Sequence, residues 1–153
     1  MIRKLAVLIL FLGLVAIAIG AVFVFEGVSK NNLITERMNT ENVSFALDPN
    51  NPSQLTSIRT GTDAQKAADT IASHRRAIAP SYQALLGNGR FDPTNPTDLV
   101  YAQAMNLENY LYLAVVAFGL IQVTMAAGAF MLVTGIALAG TGLALLRLSA
   151  FAT

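Results

Sequence analysis

The chain has 153 residues, room for about one small domain, and is 54% hydrophobic but only 12% charged. An ordinary soluble domain is about 25% charged, so composition excludes that class and points to lipid. The formal net charge is +1 and there is no cysteine, which excludes disulfides, a thiolate nucleophile and Cys-based metal sites; no basic patch is interleaved with aromatics, which argues against nucleic acid as a partner.

Met1 to Lys4 is a short basic start, and Leu5 to Phe25 is an unbroken apolar run, enough for the about 20 helical residues that a bilayer core asks for. A cleaved signal has an apolar core of about 7 to 15 residues before a polar, small-residue cleavage region. Here Ala16-Ile17-Ala18 is followed by more apolar sequence through Phe25, so the run reads as an uncleaved signal anchor, with cleavage as the alternative. From Glu26 to Glu41 the sequence is polar but keeps helical character, with Val28, Asn31 or Asn32, Thr35 and Met38 near one face. The first helix is therefore expected to continue beyond the apolar run.

Asn42 to Leu47 alternates at period two, the pattern of a half-buried strand or an extended strap over helices. Asn42-Val43-Ser44 also matches the glycosylation sequon, a match frequent by chance. Asp48 to Pro52 is a loop by its prolines and asparagines. Gly61 precedes a helix start: Thr62 can cap with Gln65 three residues on, completing a capping box, and Asp63 suits the positive end of the helix dipole. Ala64, Ala67, Ala68, Ile71, Ala72 and Ile78 follow at helical spacing, giving a flat face on a helix over about residues 62–79. Pro80 ends or kinks it. Ser81 to Leu86 forms another short turn, closed by Gly87. After the loop Gly87 to Pro96, Asn95 can cap the next helix, with Pro96 at its first position and Asp98 in its first turn. No terminator intervenes before Arg147, so one very long helix is expected.

Within that helix, Leu111 to Leu146 contains no Asp, Glu, Lys, Arg, His or Pro. Gly128, Gly135 and Gly142 recur there every seventh residue, and Gly13, Gly20 and Gly27 do so in the first run. Heptad spacing puts each set on one helix face. Two antiparallel helices would set Gly13 opposite Gly142, Gly20 opposite Gly135 and Gly27 opposite Gly128 in a single register. Small residues matter because water does not drive helices together inside lipid, and close backbone approach must do so. The alternative is coincidence, since glycine is common in membrane helices. The register makes the second span roughly Met125 to Leu146 and leaves Leu107 to Thr124 outside. With Glu108 as its one charge, that piece is apolar nearly all round and must be covered, by the helix from Thr62, the extended first helix or another copy. A three-span reading would make a hairpin at Met125-Ala126-Ala127-Gly128, which has no polar turn former.

Arg3, Lys4 and Arg147 flank the apolar runs, whereas all nine carboxylates lie between Glu26 and Glu108. By the positive-inside tendency both termini are cytoplasmic. The fold class expected is thus an all-α membrane protein: cytoplasmic residues 1–4, a first span over 5–27, a mostly helical extracytoplasmic domain over 28–124, a second span over 125–147 and a cytoplasmic tail over 148–153.

His74, Arg75 and Arg76 are the obvious place to look for an anion contact, since guanidinium pairs well with phosphate or carboxylate. The plainer reading, a solvated face opposite the alanines, is preferred. Glu36, Glu41, Asp63 and Asp69 are candidate carboxylate pairs that nothing in the sequence brings together; Tyr101, Tyr110, Tyr112 and Phe118 read as core packing or an interfacial belt. Apart from Glu26 and Arg147 at their ends, the expected spans hold no ionisable residue, which argues against an ion or proton carrier. No catalytic residue, cofactor or metal is expected.

The pattern Ile34-Thr35-Glu36-Arg37-Met38, then Asn42-Val43-Ser44-Phe45, a helical middle, and Tyr101-Ala102-Gln103-Ala104 leading into Val115-Val116-Ala117-Phe118-Gly119 resembles a group of small uncharacterised bacterial two-span membrane proteins. Some of these carry a ring-opening dioxygenase label. The resemblance implies a cell-membrane location and an exported helical loop, and transfers no catalytic residue. A non-haem iron site wants two His and a carboxylate, and this chain has one His. The expectation is a non-enzymatic two-pass protein of the plasma membrane, an accessory, assembly or sensing subunit whose partner is a membrane protein or another copy. Lipid or small apolar ligand binding by the outer domain is the alternative.

Overall fold

The computed structural model describes residues 2–41, 44–46 and 55–151. Its elements in chain order are α1 (Ile2–Thr40), β1 (Ser44–Ala46), β2 (Leu55–Ser57), α2 (Gly61–Ile78), α3 (Tyr82–Leu86) and α4 (Pro96–Phe151). The chain is mostly helical, and α1 and α4 are long and apolar enough to cross a membrane. The chain divides into two compact units, Met1–Asn32 with Leu120–Thr153, and Leu33–Gly119. The divisions fall at other positions than the 27/28 and 124/125 limits expected for the spans.

In the first unit the buried residues of α1 are Ala6, Gly13, Gly20 and Gly27, an unbroken heptad. Ile121, Gly128, Gly135 and Gly142 are the matching buried heptad of α4. Around these lines large apolar side chains stay exposed, among them Phe11 (60%), Phe25 (71%), Phe130 (72%) and Val133 (69%).

The second unit has an ordinary core. Ile58, Ala64, Ala67, Ala68, Leu111, Ala114 and Phe118 are buried together, with Ile34, Met38, Ile71 and Val115 packed against them. The alanine face of α2 is thus the covered face, as its spacing predicts, and it hides the Leu111–Ala114–Phe118 line of α4. Ile78, expected on that face, is 40% exposed, because it is the last residue of its helix. The cap of α2 lies two residues earlier than expected, and the helix begins at Gly61. Thr60, not Thr62, is the N-cap: its hydroxyl accepts from the Asp63 N–H (3.1 Å), and the Asp63 carboxylate accepts from the Thr60 and Arg59 N–H groups (3.0 and 3.2 Å). An ionised carboxylate at the third helical position outcompetes the neutral Gln65 amide, since charge-assisted bonds are the stronger ones. Ser81 caps α3 through the Ala84 N–H, Gly87 ends it with φ +56°, and Asn95 Oδ1 accepts from the Thr97 N–H at the start of α4.

β1 and β2 are absent from an all-α expectation. They pair antiparallel, with Phe45 opposite Thr56, which turns the expected strand-or-strap into a strand for its described residues. The sequon residues Asn42 and Val43 and the expected loop Asp48 to Pro52 lie outside the described residues.

Candidate functional site

Six glycines line the contact between α1 and α4 in the first unit. All six are buried. A Cβ placed on Gly13 would lie 2.8 Å from the Gly135 carbonyl oxygen and 2.5 Å from the Ala139 nitrogen; one on Gly20 would lie 2.7 Å from the Gly128 oxygen and 2.9 Å from the Leu132 nitrogen. Gly27 is filled by the Met125 side chain, and Gly142 lies against Leu10. Residues of α1 in rising order therefore meet residues of α4 in falling order. The contacts fall three or so positions from the register expected from sequence: Gly13 meets Ala139 and Gly135 in place of Gly142, and Gly142 meets Leu10. Leu10, Ile17 and Val24 sit over Gly142, Gly135 and Gly128, and Met125 and Leu132 sit over Gly27 and Gly20, while Gly13 meets the backbone of Ala139 and Gly135. The glycines thus admit both opposing backbone and neighbouring side chains, the close approach that small residues permit.

In the second unit, the expected anion cluster is divided. His74 and Arg76 are exposed, but Arg75 is turned inward to the one charge of the apolar stretch. Its Nε donates to Glu108 Oε2 at 2.7 Å and Nη2 to Oε1 at 3.4 Å, while Nη1 donates to the Tyr101 hydroxyl. The side chains of Arg75 and Glu108 are 11% and 10% exposed. Tyr101 is fully buried, with its ring centroid 5.0 Å from the guanidinium carbon and 6.3 Å from the Tyr82 ring. The Glu108 hydrogen bond, outweighing desolvation, raises the Arg75 pKa above its ordinary value. With nitrogens on all three arms engaged, Arg75 ties α2 to α4 and offers little to an outside anion. The solvated-face reading holds for its two neighbours and fails for Arg75. A lone carboxylate in a long apolar stretch was the signal that a cation must meet it.

The remaining candidates separate as well. Asp63 caps α2, and Asp69 accepts from the Tyr112 hydroxyl at 2.7 Å; that bond favours the protonated phenol and pushes the Tyr112 pKa up. Tyr101 and Phe118 are core, whereas Tyr110 is 61% exposed. Thr35, placed near one face with Met38, has a buried hydroxyl with no hydrogen-bond partner among the described residues. Among the described residues, no three His, Asp or Glu side chains come together as a metal-binding group.

Sequence reasoning missed an open groove of about 360 Å³ lined by Leu33, Ile34, Arg37 and Met38 of α1 and by Tyr110, Leu113, Ala114 and Ala117 of α4. The spacings i, i+1, i+4, i+5 and i, i+3, i+4, i+7 are those of single helix faces. The signal was Leu33, Ile34 and Met38 interrupting the polar Glu26–Glu41 stretch. The chain matches no protein-family model, no curated protein and no solved structure.

Proposed function

We infer that this is a non-enzymatic two-pass membrane protein, with α1 and α4 as antiparallel spans, both termini cytoplasmic, and Leu33–Gly119 forming most of an extracytoplasmic domain. The observation that carries the reading is where the apolar surface lies. Only 11% of the most apolar stretch of α1 and 17% of that of α4 is buried. A core helix of a soluble protein hides such a stretch; here it is left for lipid. The rising-against-falling order of the glycine contacts supports the antiparallel arrangement, and the six glycines form the packing seam.

The outer unit then acts as an accessory, assembly or sensing element. Tyr110, Leu113 and Val116, exposed at 61%, 63% and 67%, supply its apolar surface for a membrane-protein partner or a second copy. Cross-linking in native membranes, with identification of what is bound, tests this: a reproducible partner or a defined homo-oligomer supports it, and a monomer with no neighbour overturns it. Accessibility labelling that found the C-terminus outside would overturn the topology. The groove between the α1 and α4 faces favours a second reading, in which the outer unit binds a lipid or small apolar ligand; its volume falls in the range of about 300–1,000 Å³ usual for small-molecule sites.

A further inference from the structure

We propose that this groove holds one acyl chain of an anionic phospholipid, with the phosphate on Arg37. The proposal rests on the second reading above and gives it a ligand class. Three observations converge. The groove wall is apolar apart from Arg37 and the Tyr110 phenol. Arg37 is exposed, and among the described residues no carboxylate pairs with it; the ion pairs are Lys30–Glu26 and Arg75–Glu108. A cation without a counter-charge beside hydrocarbon asks for a ligand with one anionic end and one apolar body.

The third observation is the order of residues along the two helices. On α1, Leu33 lies nearer the long apolar run and Arg37 one turn further from it. On α4, Ala117 lies nearer its apolar run and Tyr110 about two turns further. Both helices therefore put a polar group, Arg37 or Tyr110, towards one end of the groove and Leu33 or Ala117 towards the other. That is the polarity of a phospholipid, with its head at one end and its tail along the apolar wall. A peptide or a second copy has no reason to share it.

The test uses the full chain in detergent. Phosphatidylglycerol and phosphatidylcholine with identical acyl chains are titrated in, and bound lipid is counted by native mass spectrometry, with oleate as a third probe. The wild type is expected to retain one phosphatidylglycerol with about tenfold preference over phosphatidylcholine, the worth of one charge-assisted bond. R37Q should abolish the preference, R37K should keep most of it, and A117W, which fills the groove, should lose both lipids. Arg37 is on the surface, so R37Q should not disturb folding. Equal binding of the two lipids to the wild type overturns the proposal. So does a preference that survives R37Q, although the apolar-ligand reading then stands. Oleate preferred over phosphatidylglycerol overturns the phospholipid assignment. Lipid-free dimers that A117W dissociates overturn the second reading together with the proposal.

Discussion

Glycine brings helices together in one unit of this chain, and alanine does so in the other. Where α1 and α4 pack in the unit of Met1–Asn32 and Leu120–Thr153, a single added carbon on Gly20 would stand 2.7 Å from a carbonyl oxygen. In the unit of Leu33–Gly119, methyls line the buried face of α2: Ala64, Ala67 and Ala68 are buried together with Leu111 and Phe118. On the proposed two-span reading, the difference follows from the solvent each unit would meet. Hydrocarbon gives helices no hydrophobic reason to associate, so backbone proximity and dispersion must supply it. Water rewards burial directly, so alanines, Leu111 and Phe118 suffice, and a buried ion pair can be carried besides.

The comparison can be broken most forcefully at that ion pair. E108A should leave the Arg75 charge buried and unmatched, at a cost of about 3–5 kcal/mol, read as a large drop in melting temperature in detergent. Replacing both partners, R75M with E108L, should do less harm than E108A alone. Next in size comes the glycine contact. Replacing Gly20 and Gly135 by leucine should cost about 1–3 kcal/mol at each site through overpacking; hydrogen exchange should rise along residues 13–27 and stay unchanged in α2. Unaltered melting of the double variant would remove the seam from the account.

A smaller effect is expected at the start of α2. T60A should lose about 0.5–2 kcal/mol and speed exchange in the first turn of that helix, while T62A should do nothing comparable. The smallest concerns Asp92, whose carboxylate accepts from the Thr94 hydroxyl and N–H and is held below the usual carboxylate range by the former first, then the latter. A lowered pKa means stabilisation that is present above the ordinary carboxylate value of about 3.9 and lost as pH falls through the lower folded value. Acid titration should therefore release the Thr94 amide, and D92N should remove that acid limb.

Elements governed by neighbours in sequence could be read beforehand. Asn95, Pro96 and Asp98 announce the start of α4; Pro80, Ser81 and Gly87 bracket α3; the glycine heptads announce a shared face. What depends on distant residues was hidden. Arg75 and Glu108 are 33 positions apart, and no local pattern selects that pairing. The three-residue strands β1 and β2 are too short to signal each other. Two candidate caps lie two residues apart, Thr60 and Thr62, and Asp63, whose carboxylate accepts from the Thr60 and Arg59 N–H groups, closes the box on Thr60. The glycine register differs from the expected one because pairing glycine with glycine satisfies arithmetic, whereas each glycine also has to receive residues lying between the glycines of the other helix, such as Leu10, Ile17, Leu132 and Ala139.

The glycine notches also change what a standard mutational experiment measures. Alanine scanning is designed to subtract atoms and read the loss. At Gly13, Gly20, Gly128 and Gly135 it would instead insert a carbon where the opposing backbone already stands, and along the inner face of α2 it would encounter alanine and report silence. A scan of this protein would therefore rank its mildest substitution among the harshest and leave one of its principal contacts invisible; serine or valine at the α2 alanines, and alanine at the glycines read as an insertion, would recover both.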